Sequence, residues 1–263
     1  MPPSVDHSNS GWLYGNNVTF FHFPKQNNQT NSKWGTVLTD IVNHEAPGDS
    51  NPYSDLVTKA HETTHGINSY LRNNYNKTGQ KANAFYVMQN RAIIIVEPPM
   101  RKSVIAQYVP SNLRGSRYSL YITGSTAWDD RPLYVYDEWV AYINGSAAGI
   151  DLVKHNLWTY GWRDAVMGTL EFTVYGLATA MAVEKHAPSY FSSYPLFLEF
   201  TAWIAAQAMS AYREGAVMSD FKWNKQDTYY QDLLNSTEAK PLRDFCTRVF
   251  GATWVRQVLF GQP

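Results

Sequence analysis

The sequence predicts an α+β fold, with a mixed N-terminal lobe carrying a small sheet and a mainly helical C-terminal lobe. Three observations point there. Residues 84–97, AFYVMQNRAIIIVE, read as two strands with a tight polar join at Gln89-Asn90-Arg91. Residues 54–74 place Leu56, Ala60, Ile67 and Leu71 at helical spacings. Beyond about residue 150, long runs rich in Ala and Leu repeat with helical periodicity.

Taken in chain order, Asn17–Pro24 (NVTFFHFP) and Trp34–Val42 (WGTVLTDIV) carry the β-branched and aromatic runs expected of strands, separated by the polar loop KQNNQTNSK. PGDSNPYS is turn chemistry, and Ser54 or Asp55 can cap the helix expected over about 54–74. That helix runs out in the Asn-rich RNNYNKTG. After the two strands, RKSVIAQYV fits either helix or strand, Ser119–Thr123 (SLYIT) reads as a strand, and GSTAWDDRP reads as a loop. Pro132 stands where the first position of a helix tolerates proline, opening LYVYDEWVAYINGSAAG. The runs 162–186, 196–215 and 241–260 are helical in composition. No repeat or linker divides the chain, so residues 1–263 are expected to form one domain, with lobes of about 1–130 and 131–263.

Composition excludes some functions. At 263 residues the chain can bury a sizeable core. Its 22 basic and 22 acidic residues cancel, so it lacks the basic face of a nucleic-acid reader. The single cysteine, Cys246, has no internal disulfide partner and reads as a small buried hydrophobe in LRDFCTRVF. No apolar run reaches the ~18 residues of a membrane span, so no integral membrane segment is expected. The opening MPPSVDHSNSGW shows no signal-peptide pattern. Compartment and oligomeric state stay open. Asn-x-Ser/Thr triplets begin at Asn17, Asn28, Asn76, Asn144 and Asn235, and carry little weight without a known compartment. The 18 Tyr and 9 Trp suit a core and also a cleft for sugars, peptides or planar groups.

The sharpest chemical signal is HETTH, residues 61–65, inside the helical run. Residues i and i+4 share a helix face, so His61 and His65 can aim two imidazoles at one point. Neutral imidazole is a standard zinc ligand. Glu62 is turned by about 100°, too far to match them as a ligand but within reach of a water on the metal. Of the other five histidines, His22, His44, His155 and His186 read as surface or structural groups.

This H-E-x-x-H run resembles that of the zincin metallopeptidase superfamily. Ile67 supplies the apolar residue usual after the motif, whereas Lys59 stands at a position the extended pattern keeps uncharged. The resemblance covers the motif helix and one later helix. It implies a zincin-like fold, one Zn²⁺ per chain and a third protein ligand. Metzincins require Gly and His where this chain has Asn68 and Leu71, and no aspzincin G-T-x-D run is present. The gluzincin arrangement remains, with a glutamate from a later helix. Glu97, Glu138, Glu171, Glu184 and Glu199 are the candidates. Glu138 is preferred, because its E-W-V-A run is similar to the gluzincin E-x-x-A, in which the small Ala lets two helices approach; Glu171 is the alternative. Many gluzincins place a carboxylate four residues beyond this ligand, and here that position is Tyr142.

The resemblance further implies hydrolysis of a peptide bond in a peptide or protein substrate, with a zinc-activated water and Glu62 as general base. It also implies a Tyr or His that steadies the oxyanion: Tyr134 and Tyr136 are the first choices, with Tyr118 and Tyr121 open. Two other readings stand beside it. One is zinc-dependent hydrolysis or lysis of a glycan or a non-peptide amide, and the other is a non-catalytic zincin-fold binding protein.

Overall fold

The computed structural model describes residues 14–49 and 52–263. The expected hairpin is present as β2, Ala82–Tyr86, and β3, Arg91–Val96, paired antiparallel with Ala84 opposite Ile94. Its join at Met88, Gln89 and Asn90 lies in the left-handed region, with φ of 65°, 56° and 59°. Of the run Asn17–Pro24, only β1, Phe21–His22, is strand, and it pairs with β3 to give the order β1-β3-β2. Ser50 and Asn51, in the turn expected over PGDSNPYS, lie outside the described residues.

Two strand expectations give way to helical structure. Trp34–Val42 contributes instead to α1, Thr36–Asn43. Leu38, Ile41 and Val42 sit three and four apart, and burying that face of a helix outweighs their β-branched character. The start of α1 is capped from afar: Asp151 Oδ2 accepts a hydrogen bond from the Val37 amide at 3.0 Å. Ser119–Thr123 lies in a π-helical turn, Tyr118–Thr123. The buried Lys102 secures that turn, donating from Nζ to the carbonyls of Tyr121, Ile122 and Gly124 at 2.8–2.9 Å. The ambiguous run after the hairpin forms a 3₁₀ segment, Lys102–Gln107.

The HETTH run lies in α2, Leu56–Asn74, and Asp55 is its cap, accepting from the Thr58 amide at 2.7 Å. Thr, Asn and Gly make α2 a weak helix former, so packing must hold it. Val57, Ala60, Ile67 and Leu71 are buried, and each large aliphatic contributes roughly 1.5–3 kcal/mol on leaving water. The next helix, α3, is Tyr134–Lys154; Pro132 precedes its cap residue Leu133 and does not occupy the first helical position.

Four longer helices follow: α4 (Met167–His186), α6 (Pro195–Ala216), α7 (Asn224–Asn235) and α8 (Lys240–Phe250), with the short α5 (Pro188–Ser193) after α4. Helix α3 packs on α2 along one side and on α4 and α6 along the other. It thereby joins two apolar clusters, one under α1, α2 and the sheet, the other among the later helices. Cys246 is fully buried, as expected. The architecture is a small antiparallel sheet in a mostly helical chain. No helix among the described residues is long and apolar enough to cross a membrane.

The open edge of β2 faces α2 and α3 and is closed by side chains. Asn68 Oδ1 accepts from the Tyr86 amide at 2.7 Å, and Asn144 Nδ2 donates to the Tyr86 carbonyl at 3.1 Å. Asn144 is therefore buried, which takes its Asn-x-Ser triplet off the surface.

Candidate metal centre

Helices α2 and α3 come close enough to share side-chain atoms at one point. A Cβ placed on Gly145 would stand 3.2 Å from the Val57 carbonyl oxygen and 3.4 Å from His61 Cβ. Glycine there removes the spacer that any other residue would insert, and Ala141, one turn earlier, is also small and buried. Glu138 is thus carried to His61 and His65.

The three ligand atoms form a compact triangle. His61 Nε2 and His65 Nε2 are 3.1 Å apart, and Glu138 Oε2 lies 3.6 Å and 3.4 Å from them. Tetrahedral zinc with bonds of about 2.0–2.2 Å separates its ligand atoms by about 3.3–3.6 Å. The two edges to Glu138 fall within that range, and the His61–His65 edge is about 0.2 Å shorter. The group could hold a metal ion.

A second observation supports the fit. Glu138 Oε2 is buried and makes no hydrogen bond, an unusual state for a carboxylate oxygen. A cation within the triangle would satisfy it together with both imidazole nitrogens. Burial pushes the Glu138 carboxyl up, but the facing His61 and His65 outweigh it and hold it down at about 2. Burial likewise pushes His65 down, and Asp137 and Glu138 outweigh that, holding its imidazole well above the ordinary value. The surroundings favour positive charge at this point.

Asp137 is a residue the sequence reading missed. Its Oδ1 stands 3.2 Å from His65 Nδ1 and accepts from Asn68 Nδ2 at 2.6 Å. A carboxylate accepts, so this contact favours a proton on His65 Nδ1, while Nε2 lies on the side of His61 and Glu138. The available signal was the Asp-Glu pair itself, since Asp137 is turned about 100° from Glu138 toward the C-terminal side of the motif. Tyr142, four residues beyond Glu138, presents its ring edge-on to His61 at 4.5 Å between centroids. Its hydroxyl meets that of Tyr121 at 3.2 Å.

Glu62 is half-buried and lines a pocket of about 220 Å³ together with His61, Thr58, Arg117, Tyr121 and Tyr142. Tyr134 stacks on Trp128 at 5.3 Å and lies close enough to Glu138 for their charges to couple. The fold does not bring Tyr136 to this point. It is fully buried on the other side of α3, its hydroxyl 2.8 Å from Thr201 Oγ1 and donating to the Gly176 carbonyl at 3.3 Å.

The other candidate glutamates are occupied elsewhere. Glu171 pairs with Arg117 at 3.1 Å and accepts from the Ser116 amide at 2.8 Å. Glu97 accepts from the Leu133 amide at 2.9 Å, Glu184 pairs with Arg248 at 2.7 Å, and Glu199 accepts from the Gly15 amide at 2.7 Å. His44 is buried, with Nε2 at 2.9 Å from Asn90 Oδ1. Comparison of the chain with models of protein families, with curated proteins and with solved structures found no match, so the reading of this centre rests on its own geometry.

Proposed function

We propose that the chain is a zinc-dependent metallohydrolase of gluzincin type, acting on a peptide bond. The observation that carries this reading is the convergence of His61, His65 and Glu138, with Glu62 beside them facing a pocket. His61, His65 and Glu138 would hold the ion, and Asp137 would fix the ring of His65. When bound, zinc supplies a Lewis acid and brings the pKa of a water from about 15.7 to near 7.

Glu62 would be the group that holds and moves the proton, accepting it from the attacking water and passing it to the departing amine. It sits next to His61 on the same helix but turned away from the ligand triangle, which suits a base and not a ligand. Tyr121, at the pocket wall, and Tyr134, beside Glu138, would be the phenols to donate to the developing oxyanion. Tyr136 is left out of this role.

A mixed-sequence peptide library is the test. Cleavage that stops on chelation and returns with Zn²⁺ supports the reading. A zinc-loaded chain that cleaves nothing in the library, while hydrolysing a glycan or a non-peptide amide, moves the assignment to another substrate.

A further inference from the structure

Away from the metal centre, a second cavity of about 350 Å³ lies between α1, α6, the β2–β3 turn and α3. The α3 residues that line it include Val140 and Ile143. They face away from Glu138, because each residue advances about 100° round a helix. The wall is largely apolar, from Val37, Met88, Val140, Ile143, Trp203 and Ile204.

Two charged side chains also line it, Asp40 and Arg91, and they differ in how well they are partnered. Asp40 Oδ2 accepts from the Tyr86 hydroxyl at 2.7 Å and from the Gln89 amide at 3.0 Å. Arg91 is half-buried over the rings of Phe20 and Trp203, at 5.5 and 5.8 Å. Its Nε is buried without a hydrogen-bond partner, and its Nη2 donates to the neutral Gln89 Oε1 at 3.3 Å. Among the described residues no carboxylate forms an ion pair with it. A guanidinium partly removed from water, whose hydrogen bond goes to a neutral amide and which has no ion pair, gains from an incoming anion.

The rim is built in advance. Met88, Gln89 and Asn90 all hold left-handed backbone, which residues with side chains adopt only where their surroundings enforce it. Asp40 bonds the Gln89 amide and His44 bonds the Asn90 side chain, fixing the turn that leads directly into Arg91. A site already ordered loses less entropy on binding.

We propose that this cavity binds a small amphipathic monocarboxylate, with its acid group on Arg91 and its apolar body against Trp203, Ile204, Val140 and Ile143. A cavity of a few hundred Å³ with apolar walls and few polar groups is the form of a small-molecule site. One negative charge is favoured over two, because Asp40 shares the cavity and repels the second.

Octanoate is the probe, and octanol is its uncharged control. Titration calorimetry on the full zinc-loaded chain is expected to give one octanoate per chain and at least tenfold weaker octanol. Arg91→Met should lower octanoate to the level of octanol, and Ile204→Trp, which fills the cavity, should remove binding of both. His61→Ala should leave octanoate binding intact, which separates this cavity from the metal centre. Absence of saturable octanoate binding to the unmodified chain overturns the proposal, and so does equal affinity for the two probes. Loss of octanoate binding in His61→Ala would place the acid on the metal and overturn it as well.

Discussion

Asp137 Oδ1 stands 3.2 Å from His65 Nδ1, and the next residue in the chain, Glu138, faces His65 Nε2 at 3.4 Å. Neighbouring carboxylates on α3 thus address the two nitrogens of one imidazole. Asn68 ties Asp137 to β2 through the Tyr86 amide, so the sheet, α2 and α3 all bear on the ring of His65. Outer partners of metal histidines are typically worth 10–100-fold in metal affinity. Asp137→Ala is therefore expected to weaken zinc about 10–100-fold while the chain stays folded. Competition against a chromophoric chelator measures this, and unchanged affinity would remove Asp137 from the centre.

One zinc per chain is expected after extensive washing, lost in either His61→Ala or His65→Ala. Elemental analysis decides the matter. Protein without transition metal that also takes none up on titration would end the metallohydrolase reading.

Glu62 lies beside the ligand triangle and outside it. Glu62→Gln should keep the zinc and the fold while turnover drops by about 10²–10⁴-fold, the usual worth of a general base. Loss of metal from this variant would make Glu62 a ligand and change the mechanism.

The choice of Glu138 over Glu171 can be tested as a pair. Glu138→Ala should lose zinc, since one of three ligands goes. Glu171→Ala removes a partner of Arg117 that is not a member of the triangle, and should keep the zinc. The opposite pattern would shift the centre toward α4.

Glu97 supplies a pH signature of the fold. Burial pushes its carboxyl from 4.5 up to about 7. Between those values the unfolded chain has released the proton and the folded chain retains it, so stability falls as pH rises across the window. The loss totals roughly 3 kcal/mol and is complete above about pH 7. Glu97→Gln keeps an acceptor for the Leu133 amide and should flatten that part of the curve. Urea melts of both proteins from pH 4 to 8 give the difference, and parallel curves would contradict the assignment.

Local spacing alone determined a good deal about this protein. His61 and His65 share a face because four residues make about one helical turn, and Ser54-Asp55 at the head of that run offered two caps, of which Asp55 is the one used. The hairpin, the long C-terminal helices and the buried Cys246 follow equally from patterns a few residues long. Tertiary structure decided what depends on distant partners. Trp34–Val42 has the composition of a strand, yet Asp151 caps it as a helix and the core takes its Leu38, Ile41 and Val42 face. Ser119–Thr123 is held as a turn by Lys102. Tyr134 and Tyr136 are two positions apart, so a helix turns them about 200° from each other, and packing against Thr201 takes Tyr136 into the core. Asp137 acquired a role only because α3 docks beside Asn68 and His65. Spacing along the chain sets which side chains share a face, whereas the partner that face meets is set by which surfaces bury together. That choice is made between segments far apart in sequence.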